Sequence, residues 1–148
     1  YLIEYNISMG DPECQVILPR LKTDLLKIIV NTVNNQLKKT KIEWKKDKSM
    51  TIVLCSKGYP GNYKKNKIIN NYNKVKLTKN DFIYHAGTKY KNGALLSNGG
   101  RVLNISSTGN NFLKIRKKII KIIKKLNWKA GFYRKDIGWK VINRNAHN

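Results

Sequence analysis

A carboxylate and an amide lie two positions apart near the start of the sequence, at Glu4 and Asn6. Residues 2–8 alternate in side-chain character with a period of two, which predicts a β-strand. Residues two apart on a strand point to the same side, so the two side-chain oxygens would lie together. Mg²⁺ takes one or two carboxylates from a protein and completes its shell with water and nucleotide phosphates. The pattern fits a magnesium site, although on spacing alone a solvent-facing strand edge is the commoner case.

The segment Gly10-Asp11-Pro12-Glu13 predicts a turn that leads into a helix. Asp11 suits the N-cap, Pro12 the first helical position and Glu13 the first turn. The free amides of a helix N-terminus can also hold a phosphate or a carboxylate. Taken alone, these residue types favour the structural role.

Two glycine-rich loops could bind an anion. Ser56-Lys57-Gly58-Tyr59-Pro60-Gly61 follows an apolar run and carries one Lys among residues that let a ligand approach the backbone closely. It lacks the order of residues found in nucleotide-binding P-loops. Gly99-Gly100-Arg101 is typical of a hairpin turn, or of a turn that presents a guanidinium to phosphate. For both loops the plain turn is the commoner interpretation.

The histidines and cysteines do not form a recognisable catalytic set. His85 stands at a predicted strand end with no second His near it and no carboxylate within three residues of it, which favours a packed or hydrogen-bonded histidine over a general base. His147 lies near the chain end and receives no role. Cys14 and Cys55 lack the spacing of a metal site, so we expect a reduced pair of buried thiols.

These residues must be positioned by a mixture of helices and strands, and we predict an α+β architecture. A helix is predicted to begin near Thr23-Asp24, with an apolar stripe formed by Leu25, Leu26, Ile29, Val33 and Leu37. A Lys-rich stretch at 38–50 is predicted to separate two structural units. Pro19 is expected to interrupt the helix that follows Asp11.

The second unit is predicted to be a small antiparallel sheet covered by one amphipathic helix. The predicted elements are strands at Thr51–Cys55, Phe82–His85 and Arg101–Ile105, a helix at Phe112–Leu126, and a final strand within Phe132–Ile142. The dipeptide Asn92-Gly93 and the tripeptide Asn98-Gly99-Gly100 are hairpin-turn signals between the strands.

The chain is strongly basic, with 31 Lys and Arg against 8 Asp and Glu and a net charge of +23. Such a charge ordinarily indicates a polyanionic partner. Here Lys far outnumbers Arg and accompanies many Asn, Ile and Tyr residues, whose codons are AT-rich. Coding bias alone explains such a surface, so nucleic acid is not an expected partner. No apolar run is long enough for a membrane span and no signal peptide is present, so we expect a cytoplasmic protein without a membrane partner.

Eight segments of the sequence carry a family resemblance: Glu4-Tyr5-Asn6, Gly10-Asp11-Pro12-Glu13, Leu18-Pro19-Arg20-Leu21-Lys22, Thr23-Asp24-Leu25, Ser56-Lys57-Gly58-Tyr59-Pro60-Gly61, His85-Ala86-Gly87-Thr88, Gly99-Gly100-Arg101-Val102-Leu103 and Phe132-Tyr133-Arg134-Lys135-Asp136-Ile137-Gly138. Together, and in this order, they resemble the phosphoribosylamine-glycine ligase family. The resemblance runs from Tyr1 to Ile142. Since position 1 is Tyr1, inside a predicted strand, we expect a fragment of the longer enzyme.

The resemblance implies a fold and a reaction. Residues 1–40 would be the last strand and helices of an ATP-grasp domain, and residues 41–148 the C-terminal domain of the ligase. The family uses ATP to join glycine to 5-phosphoribosylamine through a glycyl phosphate, and it gives glycinamide ribonucleotide for purine biosynthesis. The metal, Mg²⁺ or Mn²⁺, would be held by Glu4 and Asn6.

Substrate-binding residues follow less directly from the resemblance. Lys57, Gly58 and Arg101 are the candidates for orienting the phosphoribosyl group, and Asp11 and Glu13 of the turn are further substrate-binding candidates.

Two departures from the family pattern leave alternatives open. Ser8 stands where the family normally carries Arg, and Met9 where it carries an aromatic residue. The nucleotide-gripping lid of an ATP-grasp fold has no counterpart in the sequence, so we expect no turnover by this chain without an N-terminal ligase portion as partner. The alternatives are a basic nucleic-acid-binding module and a non-functional remnant.

Overall fold

The computed structural model describes residues 1–144, which form four α-helices and six β-strands. The helices are α1 (Cys14–Ile17), α2 (Leu25–Val33), α3 (Phe112–Leu126) and α4 (Trp139–Arg144). The strands are β1 (Lys48–Ser56), β2 (Asp81–His85), β3 (Thr88–Lys91), β4 (Ala94–Ser97), β5 (Arg101–Gly109) and β6 (Gly131–Phe132). No helix within residues 1–144 has the length and apolar character needed to cross a membrane.

A four-stranded antiparallel sheet in the order β2-β5-β1-β6 is the centre of the fold. In its register, Ile105 of β5 lies between Ile52 of β1 and Ile83 of β2. Strands β3 and β4 form a separate hairpin. Its turn residues Asn92 and Gly93 both have positive φ, of 50° and 73°, as a tight hairpin turn requires. The predicted α+β architecture with an antiparallel sheet is confirmed.

Helix α3 covers one face of the sheet and has the predicted bounds. Its N-cap Asn111 accepts a hydrogen bond from the Lys114 amide at 3.0 Å, and it ends at Asn127 in the left-handed conformation. The buried side of the helix consists of Ile115, Ile119, Ile122, Ile123 and Leu126. These residues form one core with Met50, Ile52, Leu54, Leu103 and Ile105. One amphipathic helix therefore covers the sheet, as predicted.

The opposite face of the sheet is polar, and α1 packs near it. Adjacent strand residues point to opposite faces, so Asn104 and Ser106 lie on the side away from α3. The Ser106 hydroxyl bonds the Thr51 hydroxyl at 2.6 Å, and both residues are buried. The Asn104 amide on this face donates to the Asp11 carboxylate, so a polar contact joins the N-terminal segment to the sheet.

Helix α2 begins where the sequence predicts, and its apolar stripe is exposed. Asp24 is the N-cap and accepts a hydrogen bond from the Lys27 amide at 2.9 Å. Leu26 is 68% exposed and Val33 is 76% exposed. No described element therefore covers this stripe.

The Lys-rich stretch at 38–50 is more ordered than a linker. Trp44 forms an antiparallel bridge with Leu21, and the Lys22 ammonium lies 2.8 Å from the Glu43 carboxylate. Strand β1 already begins at Lys48. These contacts tie the two predicted units together.

The predicted strand at 2–8 is wrong, because residues 1–9 have no regular secondary structure. A strand exists only when its amides and carbonyls pair with a neighbouring strand. No described residue pairs with this segment, and Ile3 and Ile7 are almost fully exposed.

The predicted N-cap role of Asp11 is also wrong. Helix α1 begins at Cys14, and its capping position is Glu13, which makes no side-chain cap bond. The Asp11 carboxylate instead accepts hydrogen bonds from Asn104 and Gln15. The chain turns into a 3₁₀ segment at Leu18–Arg20, so Pro19 does end the helix as predicted.

The predicted strand at 132–142 is wrong except at its start. Strand β6 has two residues, and α4 begins at Trp139. The carbonyls of Lys135 and Ile137 accept hydrogen bonds from the Arg116 guanidinium on α3 instead of from a strand. Gly138 at φ 82° then turns the chain toward α4. His147 lies outside the described residues.

Candidate functional site

Arg101, the first residue of β5, connects three segments that the sequence analysis singled out. Its Nε donates to the Tyr59 hydroxyl at 3.2 Å, and its Nη1 donates to the backbone carbonyl of Asp11. The same Nη1 lies 3.5 Å from Asp11 Oδ2. The structure therefore brings together the turn at Asp11, the loop at Ser56–Gly61 and the predicted anion-binding Arg101.

Close backbone contacts hold these loops against one another. The Ser56 amide and hydroxyl both donate at 2.8 Å, to the carbonyls of Gly100 and Gly99 respectively. A side chain at Gly100 would collide with the Tyr59 ring, because a Cβ there would lie 2.0 Å from a ring carbon. Glycine at this position is therefore required for Tyr59 to reach Arg101.

The His85-Ala86-Gly87-Thr88 segment joins the same cluster. A Cβ at Gly87 would lie 2.4 Å from the Arg101 carbonyl, and the Gly87 carbonyl accepts from the Asn98 amide at 2.7 Å. The His85 ring is hydrogen-bonded on both nitrogens, to Thr88 Oγ1 at 2.8 Å and to Tyr72 Oη at 3.0 Å. A hydrogen-bonded histidine was the favoured interpretation, although His85 is exposed and is not a core residue.

Asp11 is the most heavily bonded carboxylate of this cluster. Its Oδ1 accepts from Asn104 Nδ2 at 2.5 Å and from Gln15 Nε2 at 2.8 Å. Tyr59, and then Asp11, raise the pKa of Arg101, which keeps the guanidinium charged. Burial, and more weakly Asp11, raises the pKa of the neighbouring Cys55 thiol against the opposing effect of Arg101. A protonated thiol is a poor nucleophile, so the cluster is suited to binding an anion and not to thiol chemistry.

The remaining predicted substrate residues, Glu13, Lys57 and Gly58, make no hydrogen bond or ion pair with Arg101. The Glu13 carboxylate accepts from the Gly10 amide at 2.9 Å and closes the turn. Gly58 has φ 97°, and a Cβ there would lie 2.1 Å from the Asn62 carbonyl oxygen, so it allows the loop to fold back on itself. Lys57 is exposed and lines a hollow of about 460 Å³ instead of the Arg101 cluster. The structure thus unites Asp11 with Arg101 but not with Lys57.

Glu4 and Asn6 lie side by side although they are not on a strand. Asn6 Nδ2 donates to Glu4 Oε1 at 3.2 Å, and both residues are exposed. This contact leaves Asn6 Oδ1 and Glu4 Oε2 free, and these hard oxygens fit part of the shell of a magnesium ion that keeps waters and phosphates as its other ligands. Residues 1–144 contain no group of three or more His, Cys, Asp or Glu residues that could hold a metal by itself.

The sequence analysis missed Tyr59, Gln15 and Asn104 as site residues. Asn104 is fully buried within the apolar run of β5, and its Oδ1 has no hydrogen-bond partner. A lone amide in such a run was the signal that could have identified it, because a buried polar group is normally kept only where it is hydrogen-bonded. Tyr59 offered no comparable signal, since its contact with Arg101 depends on how two distant loops fold.

Comparison with known proteins places most of this chain in a family. Residues 49–140 match the family described as phosphoribosylglycinamide synthetase, C domain. The chain belongs to this family. The matched region begins in β1 and contains the loops at Ser56–Gly61, Gly87 and Gly99–Arg101. The predicted resemblance to phosphoribosylamine-glycine ligase is thereby confirmed.

Relatives of this synthetase family are similar to the chain along nearly its whole length. Phosphoribosylamine-glycine ligase of Brucella melitensis is 40% identical over 147 residues, which are 99% of this chain and 34% of the relative. The enzyme of the same name from Agrobacterium fabrum is 45% identical over 143 residues, which are 97% of this chain and 33% of the relative. The chain therefore spans about a third of the length of these curated relatives.

A crystal structure of phosphoribosylamine-glycine ligase from Thermotoga maritima has the same fold over 92% of this chain and 33% of its own. The two share 31% sequence identity with a TM-score of 0.66. The similarity supports the arrangement of sheet and covering helix described above.

Proposed function

We propose that this chain forms the C-terminal third of a phosphoribosylamine-glycine ligase. The enzyme would use ATP to join glycine to 5-phosphoribosylamine through a glycyl phosphate, giving glycinamide ribonucleotide for purine biosynthesis. The observation that carries the proposal is the 40–45% identity to ligases of that name over 97–99% of the chain. In this proposal residues 1–40 belong to the ATP-grasp domain and residues 41–148 to the C-terminal domain, and the location is cytoplasmic.

Arg101 would bind the phosphate of the phosphoribosyl group. The side chain is 42% exposed, so it can meet a ligand while Tyr59 and Asp11 hold it in place. A guanidinium binds phosphate through parallel charge-assisted hydrogen bonds, and an anchored side chain loses less entropy when it binds. Asp11 would act as a positioning residue, because its carboxylate faces Arg101 and repels an anion.

Lys57, Gly58 and Glu13 would contribute from the neighbouring loops. Gly58 would shape the loop backbone for close approach of the substrate, and Glu13 would keep the turn closed through its bond to the Gly10 amide. Lys57 would add positive charge at longer range, since it lines a separate hollow.

Glu4 and Asn6 would hold Mg²⁺ or Mn²⁺ through Glu4 Oε2 and Asn6 Oδ1. When bound, the ion neutralises the charge that builds on the transferring phosphoryl oxygens of ATP. The role of the chain itself is to keep the carboxylate and the amide next to each other, as their hydrogen bond already does.

The decisive experiment measures ADP release with ATP, glycine, Mg²⁺ and freshly generated phosphoribosylamine. The chain is tested alone and mixed with the preceding two thirds of the Agrobacterium ligase. We expect turnover only in the mixture, because the chain covers 33% of that enzyme. Glu4→Gln should abolish turnover in the mixture at low Mg²⁺ and recover part of it at high Mg²⁺.

The role of Arg101 is tested in the same mixture. Arg101→Met should raise KM for phosphoribosylamine at least tenfold and change KM for glycine little, because a lost charged hydrogen bond corresponds to about 1.5–3 kcal/mol. The matched control is Lys91→Met, which removes one exposed positive charge from the β3–β4 hairpin. Equal effects of the two variants would reject a specific phosphate contact.

The remnant hypothesis predicts a different result. No turnover in any mixture, with the chain folded by circular dichroism, would favour it. Ser8→Arg, which restores the residue usual in the family, would then test whether that departure is the cause.

A further inference from the structure

Three neighbouring hollows surround the segment Asn127–Gly131, which connects α3 to β6. Their volumes are about 380, 460 and 710 Å³, the size of small-molecule sites. The first and the third share Asn127, Trp128 and Lys129 as walls. The second and the third share Lys67 and Ala130. These shared walls make the three hollows neighbours, and we call the three together the lysine groove.

The lysine groove carries positive charge with nothing to neutralise it. Its lining includes six exposed lysines, namely Lys57, Lys64, Lys67, Lys124, Lys129 and Lys135. None of its lining residues in the described part of the chain is Asp or Glu. The ion pairs of residues 1–144 lie elsewhere, on other lysines and arginines. Unpaired lysines along a track attract a ligand that has several phosphates in a row.

Aromatic rings also line the lysine groove. Phe132 is 38% exposed and lines the first hollow beside Tyr133, while Tyr63 lines the second. Trp128 is 7% exposed, and its indole N–H is buried without a hydrogen-bond partner. Rings placed between lysines are what single-stranded nucleic acids use, because bases stack on the rings while phosphates follow the cations.

Coding bias explains how many lysines the chain has but not where they stand. In the groove the lysines lie beside aromatic rings, and no acidic residue lines it within the described part of the chain. The Asn side chains that line the third hollow, Asn66, Asn70, Asn71 and Asn127, add donors and acceptors suited to base edges.

We propose that the lysine groove binds single-stranded nucleic acid. In this proposal the phosphates run past Lys64 in the second hollow, past Lys67, which lines the second and third hollows, and past Lys129, which lines the first and third. The groove shares Lys57 with the proposed ligase site, whereas Arg101, Asp11 and Glu4 do not line it.

The test is fluorescence anisotropy of the whole chain with a labelled twelve-nucleotide oligothymidylate at several salt concentrations. The groove variant is K64Q/K67Q/K129Q. The matched control is K38Q/K39Q/K46Q, which removes the same charge from exposed lysines away from the groove. We expect the groove variant to lose at least tenfold in affinity near 0.1 M salt and to lower the slope of log affinity against log salt by about 2, because single strands give about 0.7 per phosphate contact.

The control variant should lose only about twofold in affinity, because a distant charge is largely screened at this salt concentration. Equal losses in the two triple variants would reduce the binding to diffuse charge and overturn the proposal. Absence of binding by the parent chain near 0.1 M salt would overturn it as well.

A second set of measurements separates the contribution of base stacking from that of charge alone. Phe132→Leu should weaken oligothymidylate binding several-fold and leave heparin binding unchanged, because leucine cannot stack on a base and heparin has no base to stack. A duplex of the same length should bind more weakly than the single strand. If Phe132→Leu weakened heparin and oligothymidylate binding equally, any polyanion would fit the groove and the single-strand site would be rejected. A duplex that bound as tightly as the single strand would reject it as well.

Discussion

Asp81 is the buried carboxylate on which three structural segments converge. Its side chain is 2% exposed, and it accepts from the Thr78 amide and hydroxyl, from the Ser107 hydroxyl, and from the Lys118 ammonium at 2.9 Å. Burial alone raises the pKa of this carboxyl, but the bonds from Thr78, Lys118 and Ser107 outweigh burial and hold the pKa below its usual 3.8. Asp81 thus joins the loop before β2 to β5 and to α3.

Asp81→Asn should therefore destabilise the chain in a pH-dependent way. A carboxyl whose folded pKa is lowered adds stability above its unfolded pKa and loses it as the pH falls through the folded value. We expect a loss of about 2 kcal/mol in the free energy of unfolding near pH 7, and a smaller loss near pH 3. Urea unfolding of both proteins at the two pH values measures the difference. An equal loss in the free energy of unfolding at pH 7 and at pH 3 would show that the charge of Asp81 does not contribute to stability.

Gly58→Ala should destabilise the chain more than the same change at another positive-φ glycine. At Gly58 the new Cβ would lie 2.1 Å from the Asn62 carbonyl oxygen, in addition to the strain of φ 97°. Gly93 has φ 73° with nothing within 4 Å, so Gly93→Ala introduces the strain alone, about 1 kcal/mol. We expect Gly58→Ala to lower the free energy of unfolding by at least twice as much in urea titrations. Similar losses at the two positions would contradict the predicted collision.

At the residue scale, the sequence predicted turns and caps formed by neighbouring residues better than it predicted contacts between distant residues. The turn at Asn92-Gly93 and the cap at Asp24 depend on neighbours within a few residues, and both were predictable. Asp11 was assigned to a helix cap because its residue type favours one. Its actual partner Asn104 is 93 positions away, and no local pattern encodes that contact.

Helix α3 was predictable as an element because its apolar stripe repeats with helical spacing and Asn111 marks its start. The segments at 2–8 and 132–142 show the limit of pattern analysis. An alternating pattern of side chains shows only that a segment can form a strand. The strand forms when the segment pairs with another strand, and that partner comes from elsewhere in the chain. The Arg116 guanidinium donates hydrogen bonds to the carbonyls of Lys135 and Ile137 after β6, which would otherwise be available to a neighbouring strand.

Asn111→Ala should destabilise α3 through loss of its cap. The Asn111 side chain bonds the Lys114 amide at 3.0 Å, and removing such a cap typically lowers stability by about 1 kcal/mol. The neighbouring Asn110→Ala is the control, since Asn110 is exposed and lies before the cap. Thermal melting should separate the two variants, and equal melting temperatures would mean that the cap bond contributes nothing measurable.

At the scale of the whole molecule, the net charge of +23 opposes folding through self-repulsion. Moderate salt shortens the range of this repulsion, because the Debye length falls to about 10 Å near 0.1 M. We expect the melting temperature to rise by several degrees between about 0.02 and 0.2 M salt. NaCl and KCl should act alike. A melting temperature that falls with salt would mean that the surface ion pairs outweigh the repulsion.

The burial of β5 on both faces has a consequence for how this sequence can drift. Residues 102–107 have no exposed surface, and they include no Lys and one Asn, although these two residue types dominate the surface of the chain. A mutational pressure toward AT-rich codons can change exposed positions freely, whereas a lysine in β5 would place an unpaired charge in the core. The central strand β5 should therefore keep its ancestral residues longest. Substitutions to Lys and Asn should accumulate at the exposed positions of the fold.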